Sequence, residues 1–315
     1  MNQEKTLYES FTFTARDKRE IFVHKWSPLR GEIKAVLQIA HGMAEHGKRY
    51  EEFAEFLNRH GYLVYANDHR GHGKSADSLE YLGYLGEDQG FKLLVEDMCQ
   101  LSQIIKMENS YKKIFLLGHS MGSFASQRFI MDYPKQVDGV ILSGSNGSQG
   151  SVLKLGILLA KRESRRKGPK EKSKLLNNLS FASYNKKFKP NRTDFDWLSR
   201  EDKKVDQYIE DPFCGEIFPA SFYLEFFKTL SYIEAKENFS KIPLPLPIFI
   251  ISGDKDPVGR MGRGVESLYQ RYLKVGVKDL QKKLYQGARH EVLNEINRQE
   301  VMTDIVQWLE TRVCQ

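Results

Sequence analysis

The chain has 315 residues, 40% of them hydrophobic and 28% charged, and this composition is typical of a globular protein with a sizeable core. Its length suits one large α/β domain with an insertion, or two ordinary domains. The net charge is +7, and because the sequence has neither a cysteine/histidine finger spacing nor an aromatic RNA-binding motif, we expect no nucleic-acid binding.

The cysteines and the N-terminal residues indicate in which cellular compartment the protein is expected. Cys99, Cys214 and Cys314 are odd in number and widely spaced, which favours free thiols in a reducing environment. Residues 1–10 are polar where a signal peptide requires an apolar stretch, and the apolar run at 155–160 is far shorter than a bilayer span. We therefore expect a cytoplasmic protein.

In the first half of the chain, predicted strands and helices alternate. Residues 7–14 and 21–26 are predicted to form two paired strands, and the continuous apolar run at 35–40 predicts a buried strand of a parallel sheet. The elements that follow are a helix at 50–60, a strand at 63–67, a helix at 91–107, a strand at 113–117, a helix ending at Tyr133 and a strand at 137–143. Such alternation implies a mostly parallel sheet with helices on both faces.

The middle of the chain interrupts this alternation. Residues 145–240 contain no convincing parallel strand and instead carry apolar and aromatic residues at helical spacing. Two further strands, at 247–252 and 280–285, are each followed by a helix. We therefore predict an α/β fold with a mostly parallel eight-stranded sheet flanked by helices. Residues 1–144 and 241–315 form its core, and residues 145–240 form a helical cap inserted after the sixth strand.

A candidate nucleophile lies between the strand at 113–117 and the next helix. Residues 118–122, GHSMG, match the pattern G-x-S-x-G. At a very tight strand-to-helix turn the serine backbone is strained, and only small residues two positions before and after it avoid a clash. The turn exposes the hydroxyl at the amino end of a helix, whose dipole stabilises a developing negative charge. This context predicts Ser120 as the nucleophile.

A serine nucleophile requires a base, since its free hydroxyl is a poor nucleophile at neutral pH. In this kind of fold the base comes last along the chain, after the nucleophile and the acid. Of the eight histidines, only His290 follows Ser120. It comes just after a predicted strand, in a loop at the carboxyl edge of the sheet. We therefore predict His290 as the base.

The acid that orients the base is expected after a late strand and before His290. The stretch 249–258 offers two candidates, Asp254 and Asp256. We favour Asp256 because G-x-x-D after this strand is the spacing associated with the acid, whereas Asp254 is more typical of a turn residue. Asp254 remains the alternative. The preceding strand ends at residues 143–145, SGS, without a carboxylate.

The oxyanion hole is predicted from backbone positions. The strand at 35–40 is followed by His41, Gly42 and Met43. A loop at this position normally contributes one backbone N–H to an oxyanion hole, and the residue after the nucleophile contributes the second. We therefore expect the backbone N–H groups of Met43 and Met121 to be the donors.

Five segments together carry a family resemblance. They are HGMAEHGKRY (41–50), NDHRGHGKS (67–75), GHSMG (118–122), SGDKDPV (252–258) and GARHEVLNE (287–295). In order and spacing they resemble the monoacylglycerol lipase and lysophospholipase branch of the α/β-hydrolases, related to hydrolases of the serine aminopeptidase S33 type. The similarity covers almost the whole chain, with the predicted cap as the divergent part. The resemblance implies hydrolysis of a single-chain acyl ester, a helical cap over the acyl pocket and no cofactor.

Other interpretations use the same residues. Because His41, His46, Asp68, His69 and His72 lack the spacing of a zinc motif, no metal site is expected. An aminopeptidase would share the fold and the triad but would cleave amides, and an acyltransferase would prefer an alcohol to water as acceptor. A non-catalytic binding protein would require a broken triad, and the predicted triad is intact.

Basic residues concentrate in the predicted cap. Eight lie between positions 161 and 174, with Lys154 just before them, and they accompany an apolar stretch at 153–159. One interpretation is an apolar lip for an acyl chain whose basic neighbours contact anionic lipid head groups, giving transient contact with a membrane surface. The other is a cap helix that packs on the core with a solvated charged end. The sequence leaves both open.

Overall fold

The computed structural model of the chain describes residues 6–313. In this part of the chain eight strands form a single sheet, in the order β1-β2-β4-β3-β5-β6-β7-β8. The strands are β1 (Leu7–Thr14), β2 (Glu20–Ser27), β3 (Ala35–Ala40), β4 (Tyr62–Asn67), β5 (Ile114–His119), β6 (Gly139–Ser143), β7 (Ile248–Gly253) and β8 (Leu280–Tyr285).

The sheet is antiparallel at one side and parallel elsewhere. Strand β2 pairs antiparallel with both β1 and β4, while the pairs from β4 across to β8 are parallel. Strands β3 to β7 are buried at every position, as expected for strands covered on both faces. Because parallel strands end at the same edge, the loops that follow β3, β5, β7 and β8 meet there.

Helices cover both faces of the sheet. They are α1 (Glu51–Arg59), α2 (Gly90–Glu108), α3 (Met121–Asp132), α4 (Val152–Lys167), α5 (Lys174–Phe181), α6 (Asp202–Glu210), α7 (Ala220–Glu234), α8 (Lys236–Phe239), α9 (Arg263–Val275) and α10 (Arg298–Val313). Successive residues of a strand point to opposite faces. Accordingly, Leu37 of β3 packs in a core cluster with α1 and α10, and the preceding Val36 packs in a second cluster with α2, α3 and α9.

Within the described chain, helices α4 to α8 lie between β6 and β7, in a stretch that we call the inserted segment (residues 144–247). The predicted fold class, an eight-stranded and mostly parallel sheet with helices, is confirmed. The division of the chain into a core and a cap at residues 145 and 240 stays a prediction.

Several predicted element ends shift by one or two residues, and two of these shifts have a local cause. The strand predicted from residue 137 begins at Gly139, because the Asp138 carboxylate, rather than a carbonyl group of the ladder, accepts the Ile114 N–H (2.8 Å). The helix predicted from residue 50 begins at Glu51, because Gly47–Tyr50 first forms a 3-10 turn.

The remaining sequence expectations concern the thiols and the membrane. Cys99 and Cys214 are free and buried, whereas Cys314 and residues 1–5 lie outside the described residues. Among residues 6–313, no helix combines the length and the apolar character needed to cross a bilayer.

Candidate active site

The turn from β5 into α3 holds Ser120 in a strained backbone conformation. Its φ is 50° and its ψ is −118°, a combination that residues other than glycine rarely adopt. A Cβ atom on Gly118 would lie 2.3 Å from Ser126 Oγ, and one on Gly122 would lie 2.0 Å from the Ala40 carbonyl oxygen. The G-x-S-x-G spacing therefore has a steric origin, since side chains at either glycine would collide with the packed turn.

The structure brings His290 and Asp256 together at the same edge of the sheet. His290 Nδ1 and Asp256 Oδ1 lie 3.0 Å apart, and both side chains are buried. Asp256 also accepts a hydrogen bond from Ser252 Oγ (2.9 Å) and one from the Val258 N–H (2.8 Å). These bonds fix the carboxylate in the orientation that reaches the imidazole.

Asp254, the alternative acid, has a different structural role. Its Oδ1 accepts the Gly287 N–H (2.8 Å), so it joins the loop after β7 to the loop after β8. Its side chain is 31% exposed and lies 3.6 Å from the Lys255 ammonium. This geometry favours Asp256 over Asp254 as the partner of His290.

Burial and the ion pair act in opposite directions on Asp256 and His290. Burial alone would raise the pKa of Asp256, but the imidazole and the hydrogen bonds lower it below its ordinary value. Burial alone would lower the pKa of His290, but the Asp256 carboxylate raises it above 6.5. The pair therefore combines an ionised carboxylate with an imidazole that is basic enough to accept a proton from a serine hydroxyl.

Ser120 and His290 line the same cavity, which has a volume of about 920 Å³ and lies between the sheet edge and the inserted segment. A cavity of this volume falls in the range of ligand-binding pockets. Part of its wall is apolar and comes from α4 and α7, through Leu159, Phe226, Phe227 and Leu230.

The loop after β3 approaches Ser120 closely. A Cβ atom on Gly42 would lie 3.3 Å from Ser120 Cβ, and the Gly42 N–H donates to Glu45 Oε1 (2.5 Å). The N–H of Met43 meets no acceptor among residues 6–313. Met121 is the first residue of α3, a position whose N–H has no partner within the helix. Both methionines line the cavity, and their role as oxyanion donors stays a prediction.

A buried charged cluster borders this loop, and sequence reasoning missed it. The Arg49 guanidinium donates to Glu45 Oε2 (2.6 Å) and, through both terminal nitrogens, to the two Glu291 oxygens (2.7 and 2.8 Å). Burial alone would raise the pKa of both carboxyls, but Arg49 holds each pKa below its usual range. Glu45 and Glu291 both line the cavity, so its polar end carries two carboxylates beside one guanidinium.

Three further residues enclose the His290 imidazole. The Trp197 ring, from the inserted segment, lies 5.1 Å from the imidazole, measured between ring centroids. The Trp197 carbonyl also accepts the backbone N–H of His290 (3.4 Å). The His119 ring lies 4.6 Å away on another side. A Cβ atom on Gly144 would lie 2.8 Å from His290 Cε1. Gly144 follows β6 within the SGS stretch, but that pattern did not reveal its contact with His290.

Exposed leucines lie at the rim of the cavity. Leu155 on α4 is 58% exposed and Leu179 on α5 is 63% exposed, and both also line the cavity. The same helix α4 carries exposed Arg162 and Arg165 toward its C-terminal end. The rim is therefore apolar with basic residues nearby.

Two groups of described residues have donor atoms close enough to share a metal ion, and neither group lines this cavity. They are His24, His46 and Asp68, and His46, Asp211 and Cys214.

Comparisons with known proteins identify a family and several relatives. A family model described as serine aminopeptidase, S33, matches residues 31–297. The chain is 28% identical over 309 residues to the monoglyceride lipase of Rattus norvegicus, which covers 95% of this chain and 89% of that protein. It is 29% identical over 287 residues to the monoacylglycerol lipase of Mycolicibacterium smegmatis, which covers 90% of each. Among solved structures, a highly thermostable carboxyl esterase from Bacillus coagulans in complex with glycerol superposes with a TM-score of 0.89 at 26% identity, covering 98% of this chain and 100% of that chain.

Proposed function

We propose that this chain, which belongs to the serine aminopeptidase S33 family of α/β-hydrolases, hydrolyses the carboxylic ester of a single-chain acyl lipid, either a monoacylglycerol or a lysophospholipid. The family resemblance predicted from the sequence is confirmed, and the chain is a carboxylic ester hydrolase. The acyl lipid and the roles of individual residues are the content of the proposal.

One observation carries the proposal. A serine in a strained strand-to-helix turn lines the same cavity as a buried histidine that is hydrogen-bonded to a buried carboxylate. This arrangement supplies a nucleophile, a base and an orienting acid in one place, which is what acyl transfer through a serine requires.

In the proposed reaction Ser120 Oγ attacks the ester carbonyl carbon while its proton passes to His290 Nε2. The carbonyl electron pair moves onto oxygen, where the N–H groups of Met43 and Met121 stabilise the charge. His290 then protonates the leaving alcohol as its C–O bond breaks, which leaves an acyl ester on Ser120. Water, deprotonated by His290, attacks this ester, and His290 returns the proton to Ser120 Oγ as the bond from Oγ to the acyl carbon breaks, which releases the acid and the free serine. Asp256 keeps Nδ1 protonated and stabilises the imidazolium in both halves of the reaction.

The cavity supports a substrate with one long apolar chain and a small polar end. The apolar walls from α4 and α7 suit an acyl chain, while Glu45 and Glu291 lie at the polar end near the oxyanion loop. Because two carboxylates there accompany a single guanidinium, a neutral alcohol is favoured over one that bears a phosphate. Monoacylglycerol is therefore the preferred member of the proposed class.

We also propose that the substrate enters from a membrane surface, through the rim formed by α4 and α5. Exposed Leu155 and Leu179 offer apolar contact, and Arg162 and Arg165 offer charge complementary to anionic head groups. A cytoplasmic location is part of the same proposal, and the free thiols of Cys99 and Cys214 support it.

The experiment that tests the function pairs a fluorophosphonate probe with a panel of monoacylglycerols, lysophospholipids, short acyl esters and aminoacyl amides. We expect the wild-type protein to be labelled and to turn over monoacylglycerols best. The Ser120→Ala variant should lose the label and about 10⁴-fold or more of the turnover. Ser78→Ala, at an exposed serine, serves as the matched control and should keep both.

The other outcomes decide between the alternatives. Turnover of aminoacyl amides without esters would replace the proposal with an aminopeptidase, and faster transfer to an added alcohol than to water would replace it with an acyltransferase. A protein that is folded but neither labelled nor active would overturn the catalytic assignment in favour of a binding protein.

A further inference from the structure

A second cavity, of about 680 Å³, lies between the inserted segment and a wall formed by β1, β2 and the loops after β3 and β4. His46 and Asp211 both line it, from opposite sides of the boundary. His46 belongs to the loop after β3, whereas Asp211 directly follows α6 in the inserted segment. The two side chains already meet, since His46 Nε2 lies 2.8 Å from Asp211 Oδ2.

A third donor completes a set around this contact. One ligand atom each from His46, Asp211 and Cys214 lies within 4.8 Å of the others. A tetrahedral zinc ion, with bonds of about 2.0–2.3 Å, requires donor separations of roughly 3.3–3.7 Å. The donor separations, all at most 4.8 Å, therefore come close to those that a shared ion requires. All three residues are buried or half-buried, which is typical of a built site rather than of scattered surface groups.

The neighbouring set of His24, His46 and Asp68 is less suited to an ion, because its donors make more hydrogen bonds within the fold. In the first set, Asp211 accepts one backbone N–H, that of Phe213 (2.9 Å), besides its contact with His46. His24 bonds to Asp68 through Nε2 (3.1 Å) and to the Tyr8 hydroxyl through Nδ1 (2.9 Å). Asp68 in addition accepts the N–H groups of Gly47 and Lys74 (2.8 Å each). A metal ion at this set would have to replace several buried hydrogen bonds at once.

We propose that His46, Asp211 and Cys214 form a binding site for a borderline divalent cation such as Zn²⁺, with a water molecule from the cavity in the fourth position. A nitrogen, an oxygen and a sulfur donor favour zinc over magnesium or calcium, which prefer sets of oxygen donors. Binding releases the thiol proton to solvent, and the proton on His46 moves from Nε2 to Nδ1. This departs from the sequence expectation of no metal site, because 165 positions separate His46 from Asp211 and no local spacing reveals the set.

The ion would act as a brace between two parts of the chain. Beside the site, the Gly215 N–H already donates to the Ala44 carbonyl (3.0 Å), so the inserted segment touches the loop that carries Met43. Three metal bonds across this boundary would stabilise the folded state, because the unfolded chain does not present the donors together. The inference does not depend on the reaction catalysed, since the site lies outside the catalytic cavity.

The test measures zinc binding directly on the full chain without an affinity tag, after treatment with a chelator. In competition with a colorimetric zinc chelator, we expect one equivalent of zinc to bind and the Tm to rise by about 2 °C or more, with no such rise for magnesium. Cys214→Ser and Asp211→Asn should each weaken zinc binding at least about tenfold. Cys99→Ser, at the other buried free thiol, is the matched control and should bind zinc like the wild type.

Cobalt provides a second readout that does not depend on stability. Cobalt bound to the wild type should show a thiolate-to-metal charge-transfer band, and Cys214→Ser should abolish the band while Cys99→Ser retains it. A wild-type protein that binds no zinc in the competition assay would overturn the proposal. The same holds if zinc binds equally well to Cys214→Ser, or if the cobalt band disappears only in Cys99→Ser.

Discussion

Gly144 packs closely against the imidazole of His290. The residue has a φ of 59°, and a methyl group there would lie 2.8 Å from His290 Cε1 and 3.0 Å from Nδ1. The Nδ1 atom of the ring is already engaged by the buried Asp256 carboxylate at 3.0 Å, so a shift of the ring would disturb this contact. The methyl group added by Gly144→Ala therefore changes the position of the His290 ring without removing any of its hydrogen-bond partners.

We predict that Gly144→Ala lowers kcat/KM for a short acyl ester by about 10²-fold, because a displacement of the base on the order of 1 Å costs this much. Gly150→Ala is the matched control, since Gly150 has a similar φ of 67° but open space around its Cα. Both variants carry a comparable backbone strain. Equal activity of the two would show that contact with His290 is not what matters at position 144.

The two neighbouring aspartates should differ sharply when each is replaced by asparagine. Asp256→Asn should reduce kcat by about 10³- to 10⁴-fold, because an amide favours the wrong imidazole tautomer. Asp254→Asn keeps an oxygen that can accept the Gly287 N–H and should change kcat less than about tenfold. Steady-state kinetics on a soluble ester measure both, and the reverse order would transfer the role of the acid to Asp254.

The ionisation of His290 predicts the acid side of the pH–rate profile. Only the neutral imidazole accepts the serine proton, so activity falls as pH drops through the pKa of His290, which Asp256 raises above 6.5 despite burial. The midpoint of kcat/KM in the wild type should therefore lie above pH 6.5. In Asp256→Asn the midpoint should move to lower pH, since burial then acts with less opposition. An unchanged midpoint in the variant would contradict this account of the pair.

Helix α4 has one face that packs on the protein and another that is apolar and exposed. Leu153 and Ala160 are buried, while Val152, Leu155 and Leu158 are strongly exposed. Basic residues lie in the last turn of α4, where the helix dipole stabilises positive charge. Helix α4 thus packs on the protein and also presents an apolar rim, and both sequence interpretations stay predictions.

We predict that α4 carries the contact with lipid surfaces. The double variant Arg162→Glu/Arg165→Glu should bind vesicles of anionic phospholipid at least about tenfold more weakly, because each basic residue near such a surface contributes about 1 kcal/mol. Turnover of a short soluble ester should be unchanged, since neither residue lines the cavity. Lys274→Glu/Lys278→Glu, at two exposed positions at the end of α9 and just after it, changes the net charge by the same amount and is the control in a vesicle sedimentation assay. Equal losses in both proteins would point to net charge rather than to a contact surface.

At the scale of the whole molecule, buried histidines connect stability to pH. Burial lowers the pKa of His72 to about 4, and burial together with the nearby His290 lowers the pKa of His119 to about 4. Between about pH 4 and pH 6.5 these two histidines are therefore protonated in the unfolded chain, where their pKa is the ordinary 6.5, but neutral in the folded chain. The titration of these histidines leaves the unfolding free energy unchanged well above pH 6.5. It lowers the unfolding free energy as the pH drops below 6.5, and its effect is complete below about pH 4.

We predict that His72 alone costs about 3 kcal/mol of unfolding free energy between pH 6.5 and pH 4, on the basis of 1.36 kcal/mol per pH unit. His72→Asn removes the titration and keeps a side-chain donor for the Arg70 carbonyl, which His72 Nδ1 contacts at 3.0 Å. Urea denaturation across this pH range should therefore show a shallower loss in the variant. Parallel curves for the two proteins would contradict the assignment.

Strand β3 and the tight turn at Ser120 were predictable because their signals are local. The apolar run at 35–40 became β3 without a shift, and the G-x-S-x-G pattern placed Ser120 because both glycines are required by contacts within a few ångströms. The cluster of Arg49 with Glu291 was not predictable, since 242 positions separate the two and only folding pairs them. The contact of Trp197 with His290 was missed for the same reason, because it crosses from the inserted segment to the loop after β8.

The placement of the site residues after β5, β7 and β8 has a consequence for protein synthesis. The proposed acid, Asp256, is translated after the inserted segment and β7, and the proposed base, His290, only after β8 as well. We therefore expect a nascent chain to lack esterase activity until residue 290 has been translated. A chain terminated before residue 290 keeps the serine but lacks the proposed base, and we expect it to be inactive too.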